Sequence, residues 1–303
     1  MKKAVILLAH QLPNQLNEFI SQLISDGTTD VYLHINKKCE SIVDSVKKNE
    51  HLFISTNNIP IVWGTDSVLR AILVMFKEII DSNAAYDYVL CCSGQDLLIQ
   101  TGLDSFLEKN KGQVFIDTED MARDYAQQYA KTRLLYKWPK LYLRKIDNRY
   151  NPIRILRAVR HRLCMKNLAI GKKRIENFNS INFYKDYYHF AIPYDVFSYI
   201  YNKSNDKKYM KIFNNSFLPE ELFFTTTIMN SEFKNSISFI DNKVPSISLR
   251  NDETNHHPKI YESKDIDYLE HSGFYLARKF DERIDKEVIN YFVNKITKSN
   301  ALN

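Results

Sequence analysis

The first 120 residues alternate between short apolar runs and longer segments whose apolar residues recur every three or four positions. Short apolar runs are typical of buried strands, and the longer periodicity is typical of helices with one buried face. The predicted strands are Ala4–Ala9, Val31–Ile35, Leu52–Ser55, Ile59–Trp63, Tyr86–Cys92 and Gln113–Asp117. The predicted helices begin at Pro13, at Ser67 (ending at Asp81) and at Leu103 (ending at Lys109). This alternation predicts an α/β fold with a doubly wound, mostly parallel sheet.

The pattern loosens over residues 121–177 and becomes regular again afterwards. Within the loose segment, Ile153–Leu168 has helical periodicity, with an apolar side made of Ile155, Leu156, Val159 and Leu163. The later predictions are strands at Tyr187–Pro193 and Ser236–Asp241, and helices from Tyr194 and over Pro219–Met229. We therefore predict one α/β half (1–120), a basic, mainly helical insertion (121–177) and a second half (178–303), which together form a single unit.

Polar and aromatic residues lie at the ends of several predicted strands, namely His10, His34–Asn36, Trp63–Gly64 and Ser93–Asp96. In doubly wound sheets, ligands bind beyond the carboxyl ends of the strands. The sequence therefore predicts a ligand site at this edge of the sheet, although Gly94 and Asp96 are also residues that ordinary turns favour.

Two adjacent carboxylates, Glu220 and Glu221, follow Pro219 at the start of a predicted helix. Proline suits the first position of a helix, and the helix dipole favours negative charge in the first turn. We expect such carboxylates to stay ionised near neutral pH, and an ionised carboxylate can act as a general base. On spacing alone, the more frequent role of such a pair is only to stabilise the helix start.

The amino-acid composition limits the classes of function that the protein can have. The 303 residues are 44% hydrophobic and 26% charged, which is ordinary for a soluble globular protein. With 7 glycines and neither a G-x-G-x-x-G nor a Walker A pattern, a glycine-rich phosphate loop is disfavoured. The four cysteines show neither a disulfide framework nor zinc-ligand spacing, so we expect a reducing, cytoplasmic setting.

Positive charge is concentrated in one segment. Residues 131–174 contain fifteen Lys or Arg and one acid, a net charge of +14, whereas the whole chain carries +6. Such a block favours a polyanionic partner or surface. With Arg154, Arg157 and Arg160 beside its apolar side, the predicted helix is suited to an anionic membrane surface, and a solvated basic face is the alternative. Nucleic-acid binding is disfavoured, because no RNA-binding motif interleaves aromatic residues with these charges.

Six short motifs occur in a fixed order: Ala9–Leu16, Leu33–Lys38, Val62–Gly64 with Ser67, Cys92–Asp96, Pro219–Glu221 and Ala277–Asp281. This ordered set resembles the core-2/I-branching β-1,6-N-acetylglucosaminyltransferases and peptide O-xylosyltransferases, glycosyltransferase family 14. The resemblance runs from about residue 4 to about residue 290. Each motif is short, and the order of all six gives the resemblance its weight.

The resemblance implies a GT-A-like fold and an inverting transfer of a sugar from a UDP-sugar to a glycan hydroxyl. The expected sugar is N-acetylglucosamine and the expected linkage β-1,6. Glu221 matches the family's general base, because the base is the second acid of its Pro-Asp-Glu motif. Lys279 matches the basic residue that offsets the charge of the leaving diphosphate without a metal ion, and Arg278 stands beside it. No metal and no cofactor are expected, with the UDP-sugar as co-substrate.

The resemblance also assigns residues to the two substrates. Expected on the donor side are His10, Asn36, Trp63, Asp96, Arg250, Arg278 and Lys279; expected on the acceptor side are Gln95, Arg133, His189 and Glu220. Asn36 departs from the family's usual Asp, which helps to hold the nucleoside, and His189 departs from its usual aromatic residue. The family's second phosphate-binding arginine has no clear equivalent. Asp265-Ile266-Asp267 has the letters of a metal-binding Asp-x-Asp motif, but its charged surroundings predict a solvated helix start.

The sequence thus favours a bacterial-type enzyme of surface polysaccharide or lipooligosaccharide synthesis, cytoplasmic or peripheral on the inner face of the plasma membrane. Its acceptor would be a glycan or a lipid-linked glycan. The alternatives are a similar transferase that uses xylose, glucose or galactose, or a non-catalytic glycan-binding or polyanion-binding protein. Glu221 together with Lys279 argues against pure binding, which needs neither a base nor a counter-charge for diphosphate.

Overall fold

The computed structural model describes residues 1–118, 123–144, 146, 148, 150–166, 168–169, 180–237, 246–250, 252–253 and 257–300. The strands are β1 Lys3–Ala9, β2 Thr29–Ile35, β3 Leu52–Ile54, β4 Tyr88–Ser93, β5 Asp96–Leu98, β6 Phe115–Thr118, β7 Asp186–Pro193, β8 Ser248–Arg250, β9 Asp252–Glu253, β10 His257–Pro258 and β11 Leu276–Arg278. The helices are α1 Pro13–Ile24, α2 Ser67–Asp81, α3 Leu103–Lys109, α4 Arg123–Ala130, α5 Pro152–Met165, α6 Tyr194–Ser204, α7 Lys207–Met210, α8 Glu220–Met229, α9 Ile266–Glu270 and α10 Glu287–Asn300.

The central sheet has the strand order β3-β2-β1-β4-β7-β6. Strands β3, β2, β1 and β4 are parallel, and β7 runs antiparallel to both β4 and β6. The sheet is therefore mostly parallel, as predicted. Because β1 lies between β2 and β4, the chain moves outward from β1 in one direction and then returns to its other side. This reversal places a crevice between the carboxyl ends of β1 and β4.

Helices cover both faces of the sheet. Successive residues of β1 point to opposite faces, so Val5 and Leu7 pack in one buried cluster, and Ile6 and Leu8 in the other. The first cluster includes residues of α1 and α10, and the second includes residues of α2, α6 and α8. This arrangement confirms the doubly wound α/β prediction.

A small second sheet joins distant parts of the chain. Its order is β5-β11-β8, with β11 antiparallel to β5 and parallel to β8. In this register Arg278 lies opposite Asp96 on one side and opposite Arg250 on the other. Three residues that the sequence analysis placed at the donor site are therefore neighbours.

The predicted strand Ile59–Trp63 is wrong. Three N–H groups of this segment donate to side chains instead of pairing with a strand: Ile59 to His34 Nε2 (3.0 Å), Ile61 to Asn36 Oδ1 (3.0 Å) and Val62 to Ser67 Oγ (2.8 Å). Burial lowers the pKa of His34 to about 4, so its ring is neutral and Nε2 can accept this hydrogen bond. The segment is therefore a loop. It is held by the side chains of His34 in β2, Asn36 directly after β2 and Ser67 in α2. Most of the predicted strand Ser236–Asp241 lies outside the described residues, and Ser236 itself ends a 3₁₀ turn.

Helix α5 is present, but its apolar side chains face solvent and some of its arginines face the protein, the reverse of an ordinary surface helix. Ile155, Leu156, Val159 and Leu163 are 38–51% exposed. The guanidinium of Arg160 donates to the carbonyl oxygen of Lys137 and lies over the ring of Trp138. The expectation that basic side chains flank the apolar stripe therefore needs correction, because arginines of α5 turn toward the protein, where carbonyls and rings accept them. No helix among the described residues is long and apolar enough to cross a membrane.

Candidate active site

The crevice between β1 and β4 is closed at its base by direct hydrogen bonds. The N–H of Gly94 donates to the carbonyl oxygen of Leu8 (2.9 Å), and Gln11 Nε2 donates to Gln95 Oε1 (3.1 Å). His10, directly after β1, is exposed at this edge, whereas Gln95 is buried. Both lie at the sheet edge where the sequence predicts ligand binding.

Asp96 is the centre of a buried polar network in this crevice. It is 1% exposed, and its carboxylate accepts hydrogen bonds from the N–H of Ser93 (2.7 Å) and from Arg278 Nη1 (3.1 Å). His189 Nε2 lies 3.3 Å from Asp96 Oδ2, and Arg278 also contacts the hydroxyl of Ser93. A buried carboxylate with this many partners is held in one orientation.

The charges of this network follow from burial and pairing. Burial alone raises the pKa of Asp96, but the positive charge of Arg278 and the hydrogen bonds from His189 and Ser93 N outweigh it, and the pKa lies below its ordinary value. Burial also lowers the pKa of His189, which Asp96 only partly opposes, so we assign the ring as neutral. Arg278 is therefore the positive partner of Asp96.

Lys279 is held beside the crevice by the backbone around it. Phe280 N donates to the carbonyl oxygen of Gln95 (2.9 Å), and Gln95 Nε2 donates back to the carbonyl oxygen of Phe280 (3.2 Å). Lys279 N donates to the carbonyl oxygen of Lys259 (3.2 Å). Because Arg278 is bound to Asp96 on one side and Phe280 to Gln95 on the other, the backbone of Lys279 is fixed at this edge.

Arg250 lies next to Arg278 across β8 and β11. Its guanidinium carbon is 3.9 Å from the centroid of the Tyr187 ring, a cation–π geometry that fixes the side chain. Arg250 and Arg278 line one small cavity together with Tyr187 and His189. The two arginines thus form a basic pair at the crevice, and the backbone of Lys279 lies directly beside them.

Glu221 lies in the first turn of α8 with its carboxylate partly exposed (22%). The hydroxyl of Tyr129 donates a hydrogen bond to Glu221 Oε2, and Arg133 Nη2 lies 3.9 Å from the same oxygen. Arg133 is itself sandwiched between the rings of Tyr129 (4.3 Å) and Phe217 (4.4 Å). This carboxylate can reach solvent, and a phenol and a guanidinium orient it.

Glu220 behaves differently from its neighbour. It is 3% exposed, its Oε2 atom has no hydrogen-bond partner among the described residues, and burial raises its pKa to about 8. The expectation that both carboxylates stay ionised is therefore wrong for Glu220, because burial outweighs the helix dipole. Near neutral pH the carboxyl group of Glu220 carries a proton, and a protonated carboxyl group cannot take up a second proton.

Strand β7 links the two groups of side chains. Its residue His189 belongs to the Asp96 network, and its residue Asp186 accepts a hydrogen bond from Thr225 N of α8 (2.8 Å). The ring of Tyr188 stacks on that of His189 with centroids 4.7 Å apart, and Glu220 perturbs the pKa of Tyr188. The start of α8 and the crevice therefore face the same end of the sheet.

Two predicted donor residues lie in other surroundings. Asn36 Oδ1 accepts from the N–H groups of Lys38 and Ile61, so Asn36 shapes the loop after β2. Trp63 lies in a T-shaped contact with Phe217 (5.7 Å) and under the guanidinium of Arg157 (4.9 Å). Trp63 is therefore grouped with α5 and the residues that precede α8.

The Asp-x-Asp letters belong to a helix start, as predicted, but only one of the two carboxylates is solvated. Asp265 is 8% exposed, accepts from Lys259 Nζ (2.7 Å) and takes part in a capping box with Glu262. Asp267 is exposed, 3.4 Å from His271. Asp265 is buried because it closes the turn before α9.

Sequence reasoning missed three polar residues of the site. Gln15 is fully buried, donates to the carbonyl oxygen of Phe280 (3.1 Å) and accepts from Glu282 N (3.0 Å). Its signal was a polar residue on the apolar face of α1. Ser93 stood within a quoted motif without an assigned role. Tyr129 had no signal, because it lies in the segment where periodicity is weak.

The chain was compared with known proteins. No protein-family model matches it. No curated protein matches it either.

Proposed function

We propose that the protein is an inverting, metal-independent glycosyltransferase with a GT-A-like fold, similar to those of family 14, that transfers a sugar from a UDP-sugar to a glycan hydroxyl. The observation that carries the proposal is the presence, at one end of the sheet, of a partly exposed carboxylate, Glu221, and of a basic pair, Arg250 and Arg278, with the backbone of Lys279 beside it. Inverting transfer requires these two features, a base for the acceptor and a counter-charge for the leaving diphosphate. The mostly parallel sheet with a crevice at its reversal point supports the fold.

In this proposal Glu221 removes the proton from the acceptor hydroxyl as the oxygen attacks the anomeric carbon. The bond between that carbon and the diphosphate oxygen breaks in the same step, and UDP leaves with the bonding electrons. Tyr129 and Arg133 orient the Glu221 carboxylate. Glu220, which is protonated, is a positioning residue for the helix start. The donor is proposed to be UDP-N-acetylglucosamine.

Lys279 has the main role at the diphosphate. The charge of Arg278 is already offset by Asp96, so the ammonium of Lys279 is assigned to the phosphate oxygens, with Arg250 beside it. Asp96 and His189 then shape the floor under the donor sugar. The nucleoside is proposed to lie toward His10 and Asn36.

Replacing Lys279 with alanine is expected to raise the Kd for UDP about tenfold or more and to slow turnover, because a charge-assisted hydrogen bond to the diphosphate is lost. UDP release from a panel of sugar nucleotides, measured with and without EDTA, checks the assignment. Lys264→Ala, which removes an exposed lysine that pairs with Glu262, is the control. Loss of all activity in EDTA and its recovery with manganese contradict the proposed diphosphate site.

We also propose that the apolar side of α5 contacts an anionic membrane. Leu156 and Val159 are 50% and 47% exposed, and the segment around them carries a net +14. A helix with exposed apolar side chains in a strongly basic segment is complementary to a surface that is apolar inside and anionic outside. This contact would bring the enzyme to the membrane, where a lipid-linked acceptor lies.

Wild-type protein is expected to sediment with vesicles that contain phosphatidylglycerol, less so as salt is added, and not with pure phosphatidylcholine vesicles. Leu156→Gln/Val159→Gln is expected to weaken binding about tenfold or more, because two apolar side chains no longer leave water. Ile284→Gln, at an exposed residue elsewhere, is the control. If the protein does not bind anionic vesicles at low salt and instead self-associates through the apolar side of α5, the membrane proposal is wrong.

A further inference from the structure

A cavity of about 340 Å³ lies between α5 and the residues that precede α8. Four arginines, Arg133, Arg154, Arg157 and Arg162, line it together with His161. Its volume falls in the range of small-ligand sites. The concentration of positive charge around one cavity indicates a negatively charged occupant.

Aromatic rings form the rest of the wall. Trp63, Trp138 and Phe217 line the cavity, and the guanidinium of Arg157 lies 4.9 Å from the centroid of the Trp63 ring. Arg157 Nη1 also donates to the carbonyl oxygens of Tyr142 (3.3 Å) and Arg144 (3.0 Å). Held by a ring and two carbonyls, this guanidinium is oriented before any ligand arrives.

The arginines stand closer together than their charges favour. Burial, followed by the positive charges of Arg154 and Arg133, lowers the pKa of Arg157. Burial and Arg133 lower the pKa of His161 in the same way. The ring of His161 is therefore neutral near pH 7, whereas the arginines repel one another and gain stability when an anion binds among them.

Arg133 joins this cavity to the proposed base. It lines the cavity, and its Nη2 atom lies 3.9 Å from Glu221 Oε2. Lys279, the residue proposed for the donor diphosphate, is held at the crevice and does not line the cavity. An anion in the cavity is therefore on the side of the base, where the acceptor must approach.

We propose that this cavity binds a phosphate or diphosphate group of the acceptor, so that the acceptor is a glycan joined through phosphate to a lipid or to another sugar. Only the assignment of the bound phosphate to the acceptor rests on the proposed function. Binding of a phosphorylated ligand in the cavity stands independently of catalysis.

The chain contains two tryptophans, Trp63 and Trp138, and both line the cavity. Intrinsic tryptophan fluorescence of the full chain therefore reports its occupancy directly. The probes are inorganic pyrophosphate and a short-chain prenyl diphosphate. Each is expected to change the emission in a saturable, salt-sensitive way. A tighter Kd for the prenyl compound identifies a lipid-linked phosphate, and equal values show that the cavity recognises the phosphate without contacting a lipid chain.

Arg157→Gln and Arg162→Gln are each expected to raise the Kd for pyrophosphate about tenfold, the effect of losing one charge-assisted hydrogen bond. Arg162 is exposed, and among the described residues it hydrogen-bonds only through its backbone, so replacing its side chain tests the site without disturbing the fold. Lys166→Gln removes a charge from the end of the same helix without touching the cavity and is expected to leave the Kd unchanged. The inference is overturned if pyrophosphate binds equally well to both arginine variants, or if Lys279→Ala alone abolishes binding. Loss of transferase activity in every assay, with binding intact, overturns the proposed function and leaves the phosphate site standing.

Discussion

The Glu221→Gln variant is expected to have a kcat lower by about 10²–10⁴-fold, the usual contribution of a general base. Glutamine keeps the size of the side chain and can still accept a hydrogen bond from Tyr129, but it cannot take a proton from the acceptor. UDP binding is expected to persist, because the donor lies at the crevice. Steady-state turnover together with a UDP titration separates the two effects.

Glu220→Gln is the matched control. Glutamine resembles the protonated carboxyl group that burial maintains at Glu220, so turnover is expected to stay near that of the wild type. The folded-state pKa of about 8 lies above the ordinary value of 4.5. Glu220 therefore lowers the free energy of unfolding as the pH rises from about 4.5 through about 8, and the variant is expected to lose that slope. A large loss of turnover in Glu220→Gln with near-normal Glu221→Gln reverses the assignment.

Asp96→Ala is expected to lower the free energy of unfolding by about 3–5 kcal/mol, the range observed when one member of a buried ion pair is removed. The change removes the buried carboxylate that accepts from Arg278 Nη1 and from Ser93 N. Urea denaturation measures the loss. Because Lys279 follows Arg278 directly, the Kd for UDP is expected to rise as well.

The exposed pair of Lys77 and Asp81 provides the comparison, since both side chains are more than half exposed. Asp81→Ala is expected to change the unfolding midpoint very little, because water already solvates both charges. A loss below about 1 kcal/mol in Asp96→Ala contradicts the network described for the crevice.

The parts of the fold that follow from local periodicity were predictable. The apolar run at Ala4–Ala9 needs burial on both faces, so it became the central strand β1. The run at Ile59–Trp63 looked similar, but its N–H groups are satisfied by His34, Asn36 and Ser67. Side chains brought from elsewhere in the chain can replace a strand partner, and no local pattern reveals this.

Helix α5 shows a second kind of limit. Periodicity identified its two faces, but it did not determine which face lies against the protein, because carbonyl groups and aromatic rings of distant residues accept the arginines. The candidate active site shows a third kind of limit to prediction from the sequence. Glu220 and Glu221 are adjacent in sequence, and only burial distinguishes the protonated carboxyl from the partly exposed one.

The pairing of β5 with β11 also bears on the timing of synthesis. Arg278 is added to the growing chain 182 residues after Asp96, roughly ten to forty seconds later at about 5–20 residues per second. During this interval the carboxylate of Asp96 has no Arg278 to pair with, and of its final partners only Ser93 and later His189 are present. The sheet can form on the ribosome, whereas the crevice that is proposed to hold the nucleotide closes only after β11 has emerged and paired with β5.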